Sequence, residues 1–176
     1  VGGQGNYIEN NCFSNVVGGY RNKIFPHSAG NYGCMNSIVG GCNNQITGSS
    51  IASFIGGGED NIIRKCGGGG INQYNSILGG KGNEIKNSSC CSNIIGHNNT
   101  ICSSECSTLI GSGNSITGEV DGIIGIGHGM ALTSGQANKV VISNLCIFGT
   151  NGSDGSITVI LEFDIVPIFV KLVAVI

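Results

Sequence analysis

Three histidines, ten carboxylates and nine cysteines carry the acid–base, metal-binding and nucleophilic chemistry open to this chain. His27, His97 and His128 lie far apart in sequence, and His97 occupies a turn position otherwise held by Gly or Ser. The carboxylates do not recur at a repeat position, apart from Asp60 and Glu84 near equivalent turns. Glycoside cleavage needs a pair of carboxylates on one face, which stacking can assemble but which this spacing does not announce. The phrases GGQGNYIE and GGKGNEI share their glycines with a calcium-binding nonapeptide. Calcium, however, takes six to eight hard oxygens, and here Tyr7 and Glu84 fill the Asp slot while other repeats offer Lys23, Gln45 and Asn61. The glycine runs at 56–58 and 67–70 lack the Lys-Ser/Thr of a phosphate loop. The cysteines (Cys12, Cys34, Cys42, Cys66, Cys90, Cys91, Cys102, Cys106 and Cys146) contain no CxxC pair. Zinc is therefore disfavoured, and small buried residues or interchain disulfides are expected. No catalytic residue, metal or cofactor is predicted.

Composition narrows the elements that could position these groups. Glycine makes up 32 of 176 residues, and with abundant Asn, Ser and β-branched Ile the chain is poor helix material. Only 10% of residues are charged and the net charge is −2, so there is no basic footprint for nucleic acid. Mean hydropathy of +0.21 excludes a disordered chain. No apolar run reaches the length of a membrane helix. Asn87, Asn98 and Asn151 sit in N-x-S/T sequons, which chance supplies in so Asn- and Ser-rich a chain. The pattern is already under way at Val1, so an excerpt or a processed chain is expected.

One phrase recurs: two aliphatics, two glycines or small residues, a polar stretch with Asn, then Ile. It reads VVGGYRNKI at 16–24, IVGGCNNQI at 38–46, FIGGGEDNI at 54–62 and ILGGKGNEI at 77–85. It shortens to IIGHNNTI at 94–101 and LIGSGNSI at 109–116, with VGGQGNYI opening the chain and IIGIGHGMAL closing the series at 123–132. Each unit reads as strand–turn–strand, one coil of a parallel β-solenoid of seven to eight coils. The turn glycines are Gly18, Gly40, Gly56, Gly79, Gly96, Gly111 and Gly125. Valine at Gly40 or Gly79 is expected to break a corner. Stacking aligns Asn22, Asn44, Asp60, Asn83, Asn99 and Asn114 into a hydrogen-bonded ladder. The extra residues of the longer units, 25–36 and 63–75, are read as loops.

The aliphatic pairs carry a second message. Neighbouring strand residues face opposite ways, so in Ile38-Val39, Ile77-Leu78, Ile94-Ile95, Leu109-Ile110 and Ile123-Ile124 both faces are apolar. One face fills the coil; the other needs a partner, and a homo-oligomer is expected.

The phrases NSIVGGCNNQITGSS, NSILGGKGNEIKNSS and STLIGSGNSITGE resemble the head repeats of trimeric autotransporter adhesins, and similar repeats in phage and large-virus fibre proteins. The resemblance covers about residues 1–132. It implies a left-handed parallel β-roll packed as a trimer, displayed extracellularly on a virion or cell surface, in contact with a host receptor or glycan. The alternating unit length and the nine cysteines depart from bacterial heads and favour the viral fibre.

Residues 133–150 read as a neck containing one strand, and 151–176 as an apolar β-hairpin interrupted by Glu162, Asp164, Pro167 and Lys171. The expected function is thus a structural fibre or adhesin segment without membrane insertion. Its rivals are a polysaccharide-binding or polysaccharide-degrading solenoid and an ice-binding solenoid, the last lacking any Thr-x-Thr array.

Overall fold

The computed structural model describes residues 2–25, 33–65, 72–87 and 89–143. The loop tips, Cys66, Cys146, His27 and the C-terminal hairpin expected at 151–176 lie outside the described residues, as does the neck beyond residue 143.

The described chain is all-β and its sheets are parallel, the arrangement of a β-solenoid. The first sheet has eight strands, one per repeat: Tyr7–Ile8, Lys23–Phe25, Gln45–Thr47, Ile62–Arg64, Glu84–Lys86, Thr100–Cys102, Ser115–Thr117 and Ala131–Leu132. The second, also eight-stranded, runs from Asn15–Val16 through Ser37–Ile38, Phe54–Ile55, Ser76–Ile77, Asn93–His97, Thr108–Ser112 and Ile124–His128 to Val140–Ile142. A third, four-stranded sheet contains Asn11–Cys12, Gly33–Cys34, Ser50–Ile51 and Asn72–Gln73. Each repeat therefore visits three faces in turn.

The core lies between the two larger sheets as two columns of β-branched and leucine side chains. Ile24, Ile46, Ile63, Ile85, Ile101 and Ile116 stack in register on the first sheet, and Val16, Ile38, Ile55, Ile77, Ile94 and Leu109 on the second. All are buried. Branching at Cβ suits such a column, because the preferred rotamer is shared by every rung. The third face contributes small residues instead, including Ser50, Ser89 and Ser104, which narrows the coil there.

The aliphatic pairs divide as side-chain alternation requires: Ile38, Ile77 and Ile94 point inward, while Val39, Leu78 and Ile95 are exposed.

Two repeats depart from their expected register, one by a single residue and the other by two. Ile55, not Phe54, stands opposite Ile38 and Ile77. Gly125, not Ile123, stands opposite Leu109. A one-residue slip exchanges inward and outward side chains along a strand, so it reassigns the roles of Gly56 and Asp60; the two-residue slip keeps the faces and puts Gly125 in the place of a core aliphatic. In the true register the ladder asparagines are 16, 22, 17, 22, 16 and 15 residues apart, the long intervals holding the loops.

Candidate functional site

Three features of the coil surface are candidates for function: the first corner, the outer face of the second sheet, and the edge formed by the third face.

The first corner holds the asparagine ladder, and its members are Asn6, Asn22, Asn44, Asn61, Asn83, Asn99 and Asn114. Asp60 is not one of them. From Asn6 to Asn99 each Oδ1 accepts the backbone N–H of the next asparagine, at 2.9 to 3.1 Å, and Asn114 Oδ1 accepts that of Met130 at 3.0 Å. Nδ2 of Asn22, Asn44, Asn61 and Asn83 donates to the glycine carbonyl four residues earlier, at 3.0 Å. The same amide reaches the glycine carbonyl of the following coil. A buried carboxylate cannot donate these bonds and would carry an unpaired charge. Asp60 instead takes the adjacent left-handed position (φ 56°), where it accepts from Asn43 Nδ2 at 2.7 Å.

The glycines that this corner demands are also shifted. Gly19, Gly41, Gly58 and Gly80 have φ between 85° and 90°, and a Cβ at any of them would run into the glycine carbonyl oxygen of the next coil. Gly96 and Gly111 continue that column, with φ of 135° and 120°. Gly18, Gly40 and Gly79 do not: a Cβ there meets nothing within 4 Å and φ is not left-handed. The expectation that valine at Gly40 or Gly79 breaks a corner is corrected accordingly. At Gly56 a Cβ would stand 2.5 Å from the Leu78 carbonyl oxygen and 3.3 Å from Phe54 Cε1. Gly125 is a core glycine, its missing side chain replaced by Leu109 and Leu132 methyl groups 2.8 Å from the Cβ position.

A second ladder, missed in the sequence, runs along another corner. Asn36 Oδ1 accepts from the Ser53 N–H at 3.0 Å, and Asn75 Oδ1 from the Ser92 N–H at 3.0 Å. Ser107 and then Ile123 extend the column. Its signal was present: Asn or Ser stands two residues before each inward aliphatic of the second sheet from Val16 to Leu109, as in Asn36-Ser37-Ile38 and Ser92-Asn93-Ile94.

The outer face of the second sheet carries the apolar stripe. Val17, Val39, Leu78, Ile95, Ile110, Ile126 and Ile142 follow one another up the coils, interrupted by Gly56. Leu78 is 55% exposed. Ile124 and Val140, also exposed, widen the stripe at its C-terminal end. The first sheet is different: Glu84 is bound between Arg64 (2.6 Å) and Lys86 (2.8 Å) on its outer surface.

The third edge places one left-handed residue per coil: Phe13 (φ 51°), Met35 (57°), Ala52 (51°) and Tyr74 (53°), then Cys91 and Cys106, three of them large. Phe13 is 91% exposed. Beside them, Cys12 and Cys34 stand in register, and Cys90 Sγ lies 3.5 Å from Cys91 Sγ. Partial burial and the Cys91 thiol push the Cys90 thiol up to about 11.

The described histidines gather loosely. Ser112 lies between His97 and His128 in the stack, with its Oγ 2.7 Å from His128 Nδ1, all at the surface. Among the described residues, no three His, Cys, Asp or Glu side chains are placed to hold a metal ion. Nor is any helix among them long and apolar enough to cross a membrane. No protein-family profile matches the chain, and no curated protein does.

Proposed function

We propose that this chain is a structural fibre or adhesin segment: a rigid, left-handed β-solenoid of seven to eight coils that packs as a homotrimer on a virion or cell surface. The observation that carries the reading is the apolar stripe on the second sheet, continuous from Val17 to Ile142 and broken only at Gly56. Such side chains, roughly half exposed in one chain, gain about 1 kcal/mol each when a neighbour covers them. A contiguous aliphatic column is also unusual on a soluble monomer. The occupant we assign is a second and third copy of the chain, since an in-register column of aliphatics meets its own repeat at every coil. Closure at three follows the resemblance to trimeric heads.

Receptor or glycan contact is assigned to the third edge, where Phe13 and Tyr74 offer flat apolar faces that suit sugar rings. No catalytic, nucleic-acid-binding or membrane-inserting role enters this reading.

Sedimentation equilibrium of the full chain tests it. The expected species is a trimer at micromolar concentration, and Val39→Lys with Leu78→Lys is expected to yield folded monomers. A wild-type chain that is monomeric and soluble at that concentration overturns the assembly.

A further inference from the structure

Five of the seven described cysteines lie on the third edge, in an arrangement that the fibre reading does not use. Cys12 and Cys34 are Cα partners on adjacent coils. Further along the same edge Cys90 bridges to Glu105 on the adjacent coil, which sets Cys91 against Cys106 one position further on. The backbones of Cys91 and Cys106 are both left-handed, at φ 54° and 52°, so their side chains leave the coil in the same direction. Adjacent parallel strands run about 4.8 Å apart, inside the roughly 4.4–6.8 Å Cα window of a disulfide. Cys12, Cys91 and Cys106 are exposed and Cys34 is half-buried, so an oxidant in solution reaches them. Cys42 and Cys102 are unlike these four. Their partners in register are Tyr20 and Glu59 for the first, and Lys86 and Thr117 for the second.

We propose that the third edge is an oxidation site at which Cys12–Cys34 and Cys91–Cys106 close as disulfides between neighbouring coils, stapling the solenoid along its axis. The oxidant is a small-molecule disulfide. A cysteine thiolate attacks one of its sulfurs, expels one thiolate and leaves a mixed disulfide. The facing cysteine, as thiolate, then attacks the protein-side sulfur and expels the second small thiolate. Two cysteine thiol protons pass to solvent or to the released thiolates, and two electrons reduce the oxidant to two thiols. The vertical partner is preferred to the vicinal Cys90–Cys91 pair because a vicinal bond closes a strained small ring through the 90–91 peptide. The hydrogen bond that the Cys34 thiol makes to Cys12, with desolvation, pushes the Cys34 thiol up. The staples need only one chain and stand independently of the trimer.

The test is oxidation of the full chain by glutathione disulfide, alkylation of the remaining thiols and peptide mapping without reduction, on an equal mixture of isotopically light and heavy chains. The expected result is two linked pairs, Cys12–Cys34 and Cys91–Cys106, each joining light to light or heavy to heavy, with Cys42 and Cys102 alkylated. Cys34→Ser is expected to abolish the first link and leave the second intact. A Cys90–Cys91 link, links between light and heavy chains, or stable glutathione adducts on Cys12 and Cys91 without closure overturn the proposal. Monomers that form both links would overturn the assembly reading alone.

Discussion

The Oδ1 of Asn22 accepts two hydrogen bonds from Asn44, one from its backbone N–H at 3.0 Å and one from its Nδ2 at 3.1 Å, across 22 residues of chain. Asn44 repeats the arrangement toward Asn61. One side chain thus ties together the backbone of its own turn, the previous coil and the next one. No other residue type combines a two-proton donor and an acceptor on so short a stem, glutamine being one methylene longer.

Asn44→Ala is expected to lower unfolding stability by about 3–5 kcal/mol, because the carbonyls of Gly40 and Gly58 and the N–H of Asn61 lose their buried partner. Asn44→Asp is expected to be at least as damaging at pH 7 and to recover part of the loss in acid, where a protonated carboxyl donates again. Asp60→Asn, beside the ladder but outside it, is expected to change stability by less than about 0.5 kcal/mol. Denaturant melts of the three variants check the set, and a large loss for Asp60→Asn would place the ladder one residue earlier.

The two glycines of one turn are expected to behave oppositely. Gly41→Ala puts a Cβ into the Gly58 carbonyl at a φ of 85°, and should cost at least about 2 kcal/mol. Gly40→Ala meets open space at an ordinary φ and should stabilise by about 0.4–1 kcal/mol through the unfolded chain. Thermal melting of the two single variants reads this directly; equal losses would contradict the corner geometry.

The Cys90 thiol is raised to about 11 by partial burial and by the neighbouring Cys91 thiol. A folded-state value above that of the unfolded chain means that the folded protein holds the proton more tightly. The associated stability is intact below about pH 9 and is lost as pH rises through 11. Reduced protein is therefore expected to lose stability between pH 9 and 11, and Cys90→Ser to flatten that part of the profile. An identical slope in Cys90→Ser would assign the loss to other groups.

Much of this architecture is written in the residues. The recurring phrase sets β-structure and coil repetition, because Gly and Asn suit the repeated tight corners while Ile favours strands. The doubled aliphatics, such as Ile77-Leu78, fix one inward and one outward side chain by alternation alone. Asn at the turn announces a ladder, since a buried polar column must bond to itself.

What the tertiary structure decided is register and neighbourhood. The glycine run at 56–58 matches the phrase in two alignments, and only the stacking of Ile55 on Ile38 and Ile77 chooses between them. That choice moves Asn61 into the ladder and Asp60 out of it. Gly125 resembles a turn glycine in sequence, but the methyls of Leu109 and Leu132 occupy the space of its side chain. The pairing of Cys12 with Cys34, 22 residues apart, likewise rests on their register across adjacent coils. Spacing along the chain does not measure distance when coils differ in length by a loop; hydrogen bonding between coils does, because it aligns only the residues that share a corner.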